Sequence, residues 1–344
     1  MEELNVLYQF DNNYAPYAGI SILSLFENNK GIKHLNVYCA AMGVDGRNTA
    51  LLNETASKYG RNITYVDVRR AVEQMQRIHV GSWNGSVATW LKIFVLENFI
   101  GKMDSLLYID SDTLVQGGLD GLYNFDFEGK AAACVLDSLY SLGFWHCDRL
   151  QMQKDRHYYN AGVVFFNLAY FGIHREAYAE MIGCLKKNVW KYLANEQDLL
   201  NEFFCGKIKR LGPEYNFQGI HLMYSDKAYF RMRRRGDYYL ENEVAGARGK
   251  IKILHFFRVL GDYPWAEGNC HPAQEEFQRW KQISLWQGEP DIRKKRGVVF
   301  RAERLLYRVL PEKLFLRLFW CITNGMDRIR NRKAHAAAGR AREG

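Results

Sequence analysis

Short apolar runs alternate with amphipathic stretches along the first 110 residues or so of the chain. Leu4–Phe10 is an apolar run closed by Asp11-Asn12-Asn13, which predicts a strand and a polar loop. Tyr17–Phe26 places Ile20, Leu23 and Ser24 on a helix-like stripe continued by Leu25 and Phe26. Leu35–Ala40 predicts a second strand, and Asn48–Tyr59 a helix with Leu51, Leu52 and Ala56 on one face. Ile63–Val68 predicts a third strand, Ala88–Phe99 a helix and Leu106–Ile109 a fourth strand. Further on, 131–136 and 163–168 are strand candidates, Leu185–Leu193 and Gln197–Phe204 helical, and Ile251–Phe257 a late strand containing His255. Residues 206–250, with the basic Arg231, Arg233, Arg234 and Arg235 and the acidic Glu241 and Glu243, read as a surface insertion. The alternation predicts an α/β domain with a mainly parallel sheet. In such sheets ligands sit at the carboxyl ends of strands, where the loops after Phe10 and Ile109 fall.

The pattern changes near Gly288-Glu289-Pro290. Val298–Leu310 predicts a helix with Val299, Leu306 and Leu310 on one side and Arg301, Arg304 and Arg308 on another. Pro311 opens a second, where Leu314, Phe315, Leu318, Phe319 and Ile322 lie together, apart from Lys313 and Arg317. The chain has 344 residues and a net charge of +9, all of it in this tail. Residues 291–344 hold 15 basic and 5 acidic side chains, and the remainder is almost neutral. Residues 1–288 are therefore expected to form one globular unit. Residues 289–344 are expected to form a basic amphipathic tail whose end lacks order. Such a tail suits an anionic membrane surface, here through 291–333. Nucleic acid is not the expected partner, since the basic residues alternate with large aliphatics.

The seven cysteines (Cys39, Cys134, Cys147, Cys184, Cys205, Cys270, Cys321) form no Cys-x-x-Cys pair, which fits a reducing cytoplasm. The acidic start Met1-Glu2-Glu3 is unlike a signal peptide. No apolar run approaches the 18 or so residues of a spanning helix.

Four segments carry candidate chemistry. Leu106-Leu107-Tyr108-Ile109-Asp110-Ser111-Asp112 runs a strand into two carboxylates at i and i+2, on the same side by strand period. Converging carboxylates repel unless a cation or proton lies between them, and oxygen ligands suit Mg²⁺ or Mn²⁺. Asp-x-Asp by itself is also the pattern of a capped turn. His255 ends its apolar strand; such a histidine is ordinarily structural, but beside two carboxylates it becomes a third ligand and favours Mn²⁺. In Tyr158-Tyr159-Asn160-Ala161-Gly162-Val163 an amide and two small residues precede a strand and admit close approach of a ligand. Asn195-Glu196-Gln197-Asp198 opens an apolar helix, with Asn195 fit to cap it; capping leaves Gln197 without a reason.

Together these segments resemble the family 8 glycosyltransferases, over residues 4–265. The bacterial lipooligosaccharide galactosyl- and glucosyltransferases look most similar. The motifs occur in order: Asp-Asn-Asn-Tyr after strand one, Leu-Tyr-Ile-Asp-Ser-Asp, Tyr-Asn-Ala-Gly-Val, Glu-Gln-Asp-x-Leu-Asn and a late His followed by Pro-Trp. The resemblance implies the A-type nucleotide-diphospho-sugar transferase fold, Rossmann-like with a mostly parallel sheet and flanking helices. It implies a retaining, metal-dependent transfer of glucose or galactose from a UDP-sugar to a glycan or lipid-linked glycan. By the same resemblance Asp11, Asn13 and Tyr14 fall where the uracil ring is bound. Asp110, Asp112 and His255 match the metal ligands, Mn²⁺ with Mg²⁺ as the alternative, and Asp112 also the ribose contact. Asp137, Asn160 and Ala161 match donor-sugar contacts, Gln197 the amide facing the anomeric carbon and Asp198 a carboxylate that binds sugar hydroxyls.

Two positions depart from that pattern. Lys92 stands where the family often has Arg, keeping the charge without the bidentate fork. Tyr263 stands where the family has a diphosphate-binding Lys, in a segment about two residues longer, and Arg258 is the candidate replacement. The expected role is lipopolysaccharide or cell-surface polysaccharide synthesis, in the cytoplasm at the inner face of the membrane. The competing readings are a self- or protein-glucosylating transferase of the glycogenin-like branch, and an inactive scaffold or nucleic-acid-binding protein.

Overall fold

The computed structural model describes residues 3–83, 85–139, 149–150, 152, 157–233, 238–258, 260, 262–293 and 297–343. Cys147, Arg234 and Arg235, named above, lie outside these residues. Ten strands are described: β1 (Glu3–Asp11), β2 (His34–Met42), β3 (Ile63–Tyr65), β4 (Ser105–Ile109), β5 (Thr113–Val115), β6 (Ala132–Leu136), β7 (Tyr159–Asn167), β8 (Ile208–Arg210), β9 (Phe217–Gln218) and β10 (Ile253–His255). Seven form one sheet in the order β3-β2-β1-β4-β7-β6-β8, and three form a second in the order β5-β10-β9.

β1 is buried from Leu4 to Phe10 without alternation, as a parallel strand covered on both faces must be. It pairs in parallel with β2 and β4, and β3 continues the parallel run beyond β2. β7 is the reversed strand, antiparallel to β4 and to β6. The expected mostly parallel α/β architecture is thus what the chain builds, with one strand turned about at the centre.

That reversal positions the site. Asp110 N donates to Gly162 O at 2.7 Å, so the β4–β7 ladder extends to the first carboxylate. The expected strand at 163–168 begins four residues earlier, and Asn160, Ala161 and Gly162 lie within β7 and not before it. β10 then pairs antiparallel with β5, His255 opposite Thr113, which carries the histidine back beside Asp112.

Helix Ala15–Asn28 packs beneath both sheets: Ser21 Oγ meets Thr113 Oγ1 at 2.9 Å and Ser24 Oγ accepts from Val115 N. Trp286 lies against this helix at Gly19, where an added Cβ would fall 2.1 Å from the indole, and its Nε1 donates to Asn48 Oδ1. Helix Gly46–Ser57 matches expectation, and the polar helix Arg69–Ile78, which buries only Ala71 and Met75, has too narrow an apolar stripe to be read from sequence. The expected helix over 88–99 is broken into a 3₁₀ turn, the α-turn Leu91–Phe94 and a second 3₁₀ turn. The Gln9 carboxamide of β1 takes both Thr89 O and Lys92 N, polar groups that a continuous helix would use itself.

Residues 206–250 are not a surface insertion. Phe217, Tyr229, Tyr239 and Val244 are buried, and Tyr229 Oη donates to Ser138 O from helix Asp226–Met232. In the tail, Val298–Val309 and Glu312–Glu343 are helical. Phe315 and Leu316 turn inward, where Phe315 meets the rings of Tyr224 and Tyr307. Glu312 caps Ser225, and Arg304 bonds Asp262 Oδ2 and Gly268 O. Leu314, Leu318, Ile322, Met326 and Ile329 stay exposed. Among the described residues no helix is long and apolar enough to cross a membrane, and the six described cysteines are free.

Candidate active site

At the carboxyl end of β4, Asp110 and Asp112 converge with His255 from β10. One ligand atom from each lies within 4.8 Å of the others. His255 Nε2 is 3.4 Å from Asp112 Oδ1 and 3.8 Å from Asp110 Oδ2. Burial works to lower the His255 pKa, but the Asp112 and Asp110 carboxylates outweigh it and the net shift is upward. The space between these groups therefore favours positive charge. Two carboxylates and an imidazole are a donor set that fits a hard or borderline divalent cation. Gly162 is required for the fit: a Cβ there would fall 2.2 Å from His255 Cε1.

Lys92 stands behind Asp110, with 1% of its side chain exposed. Its Nζ donates to Ala161 O at 2.8 Å and to Glu196 Oε1 at 3.0 Å, is 3.5 Å from Asp110 Oδ1 and lies 4.0 Å from the Tyr108 ring centroid. Tyr108 Oη bonds Asp110 Oδ1. Burial opposes the lysine charge, and Asp110 and Glu196 more than offset it, so its pKa is raised. Burial likewise raises Asp110 and Glu196, against the pull of Lys92. Lys92 is thus consumed within the protein, as a cation holding the first carboxylate.

Asn195, at φ +51°, does not cap the helix Glu196–Phe203 with its side chain, as the sequence suggested; Asn tolerates this left-handed backbone, and its Nδ2 points to Thr89 Oγ1. Gln197 Oε1 accepts from Ala161 N at 3.0 Å and Asn160 Nδ2 at 3.1 Å. Its Nε2 donates to Asp137 Oδ2 at 3.2 Å, which also accepts from Asn160 Nδ2. Asp137, Asn160, Ala161 and Gln197 are therefore one bonded group on the wall beside the carboxylates. Asp198 lies behind it and is fully buried: Oδ1 accepts from Tyr158 Oη, Oδ2 from Arg149 Nη2 and Ala194 N. These bonds make it an anchor for the turn that presents Gln197.

On the opposite side, Asp11 Oδ1 accepts from Asn13 N and Tyr14 N, folding the loop after β1. Burial raises the Tyr14 and Tyr263 hydroxyl pKa values, and the Asp112 charge adds to both. Arg258 stacks 5.4 Å from the Tyr263 ring centroid. Tyr263 in turn stacks on Trp265, and Trp265 on Tyr17. Tyr14, Asp112, Arg258 and Tyr263 share one corner, with Asn13 exposed in the same loop. The sequence alone singles out neither Glu196, whose Oε2 is buried with no hydrogen-bond partner among the described residues, nor Asn216, which bonds His255 Nδ1. Glu196 has the signature of a helix first turn; Asn216 sits in the segment whose apolar pattern was least regular.

A family model described as glycosyl transferase family 8 matches residues 5–267. A lipopolysaccharide 1,2-glucosyltransferase of Escherichia coli is 26% identical over 84% of this chain and 81% of its own length. A putative glycosyltransferase of Haemophilus influenzae is 27% identical over 63% of this chain, which spans 64% of that protein. Galactosyltransferase LgtC, solved in complex with donor and acceptor sugar analogues, superposes with a TM-score of 0.70 at 21% identity, covering 83% of this chain and 99% of LgtC. At that identity the likeness establishes a common fold.

Proposed function

The chain belongs to glycosyltransferase family 8, and from that premise we propose that it moves glucose or galactose from a UDP-sugar to a hydroxyl of a glycan acceptor, with retention of configuration. The observation that carries this reading is the meeting of Asp110, Asp112 and His255 beside the Gln197–Asp137–Asn160 wall. Asp110, Asp112 and His255 would hold a divalent cation, Mn²⁺ by its tolerance of imidazole. When bound, the cation supplies electrostatic stabilisation to charge developing on the departing diphosphate.

The remaining roles belong to side chains. Lys92 holds Asp110 and offsets the excess negative charge of Asp110 and Glu196. Asp11, Asn13 and Tyr14 would take the uracil, and Arg258, stacked on Tyr263, the diphosphate. Gln197 is a neutral amide and a poor nucleophile, so attack on the face the leaving group vacates is favoured over a covalent intermediate. Its carboxamide would face the anomeric centre, where positive charge develops.

We place the catalytic unit in residues 1–288 and assign 289–344 to the membrane. The exposed Leu314, Leu318, Ile322, Met326 and Ile329, together with exposed Lys313, Arg317 and Arg328, support peripheral binding to an anionic inner leaflet. The acceptor would then be a lipid-linked or lipid A-linked glycan. The likeness to a lipopolysaccharide glucosyltransferase and to the lipopolysaccharide 1,3-galactosyltransferase of Salmonella typhimurium supports that class.

The test is UDP release from UDP-glucose and UDP-galactose in parallel, with Mn²⁺ or with EDTA. Release from one donor, abolished by EDTA and reduced about a hundredfold or more in Asp112→Asn, is expected. Release that is indifferent to EDTA, or no UDP binding by calorimetry in Mn²⁺, would sink the reading.

A further inference from the structure

The polar groups behind the carboxylates form a chain of hydrogen bonds whose direction can be read from one end to the other. It begins at Gly162 N, a peptide N–H that can only donate, 2.9 Å from Asn160 Oδ1. That contact fixes which end of the Asn160 amide is oxygen. The same oxygen lies 2.8 Å from Asn216, whose atom there must be the donating Nδ2. The other end of Asn216, Oδ1, is 3.0 Å from His255 Nδ1. An amide oxygen only accepts, so in the neutral ring Nδ1 carries the hydrogen. The Nε2 lone pair is left facing Asp112 and Asp110. From the same Asn160 a second branch runs through Nδ2 to Gln197 Oε1, whose identity as oxygen is fixed independently by Ala161 N.

We infer that Asn216 is a positioning residue that sets the His255 tautomer for metal ligation and ties the ligand side of the site to the Gln197 side. Its place in the fold suits this. It ends the 3₁₀ turn Pro213–Asn216 and precedes β9, which pairs with β10 so that Gln218 lies opposite His255. It is 1% exposed, so solvent does not stand in for its amide. The inference rests on the reading of Asp110, Asp112 and His255 as cation ligands.

The experiment is Mn²⁺ binding without donor, followed by electron paramagnetic resonance, on the unaltered protein, Asn216→Ala and Asn216→Asp, with kcat and KM for UDP release alongside. Asn216→Ala loses both bonds and is expected to bind Mn²⁺ about 10- to 100-fold more weakly. Asn216→Asp still accepts from His255 Nδ1 but sets an oxygen against the Asn160 oxygen. It is expected to keep Mn²⁺ affinity close to that of the unaltered protein and to lose kcat. That split separates positioning from a fold defect, which would weaken both together, and Asn216→Asp carries the test if the alanine variant does not fold. Normal Mn²⁺ binding and kcat in Asn216→Ala, or equal loss of both quantities in Asn216→Asp, would overturn the inference. An unaltered protein that binds no Mn²⁺ would overturn the cation reading and the inference with it.

Discussion

The body and the tail use the same kinds of residue in opposite ways. In the body, a few charges are directed inward and each is paired there. Lys92 is spent on Asp110 and Glu196, Arg149 on Asp198, and Lys191 on Glu202. In the tail, cations such as Lys313 and Arg317 face solvent, and so do the aliphatic Leu314, Leu318 and Ile322. Buried charge must be matched partner for partner, because an unmatched ion in the interior is costly. Exposed charge needs no partner in the chain and is available to a surface. A count of basic residues therefore says little until each is located.

A matched pair of substitutions tests this contrast most severely. Lys92→Met leaves the buried Glu196 and the half-buried Asp110 without their cation and is expected to cost about 3–5 kcal/mol, read as a lowered urea midpoint. Lys313→Met, the same change on the tail surface, should stay within about 0.5 kcal/mol. Equal costs would break the comparison. Next in size is the tail's outward face. Replacing Leu314, Leu318 and Ile322 with glutamate leaves Phe315 and Leu316 in their packing, so donor hydrolysis should be unchanged. Flotation with anionic vesicles should fall about tenfold or more, since both apolar contact and charge attraction are weakened. Undiminished flotation would remove the tail from the membrane reading. A third effect concerns an inward-facing group that carries no charge. His221 is buried against Tyr238, and burial pushes its pKa from 6.5 down to about 3. A folded value below the unfolded one means the stabilisation is full above pH 6.5 and is lost as pH falls toward 3. His221→Gln should flatten the decline of the melting temperature between about pH 6 and 4.

Much of this was legible in the sequence, and for specific reasons. β1, β4 and the helix after β1 were visible because buried parallel strands are unbroken apolar runs and the helix has a wide stripe. Asp110, Asp112 and His255 could be named because the carboxylates share one strand end, but their meeting with the histidine depends on β5–β10 pairing across a long stretch of chain. Residues 206–250 were misread because their core is aromatic and dispersed. Phe217 and Tyr229 reach the interior from elements too brief to show a period, and Tyr239 from the loop before helix Glu241–Arg248. Lys92 illustrates the other limit: its residue type was plain, yet only the fold reveals that its Nζ bonds Ala161 O and Glu196 Oε1.

Gly162 has a consequence beyond the room it leaves for an imidazole. Side-chain amides are nearly symmetric in outline, so a row of them can pack equally well in several orientations that differ only in where the hydrogens lie. Such degeneracy would leave the site a mixture of electrically distinct species with one shape. Here the row is pinned to a peptide group of the sheet, whose N–H cannot be turned over. One arrangement is thereby selected, the same one in which the Asp137 carboxylate accepts from Asn160 Nδ2, and the ordering that makes β7 a strand also decides on which nitrogen His255 carries its proton.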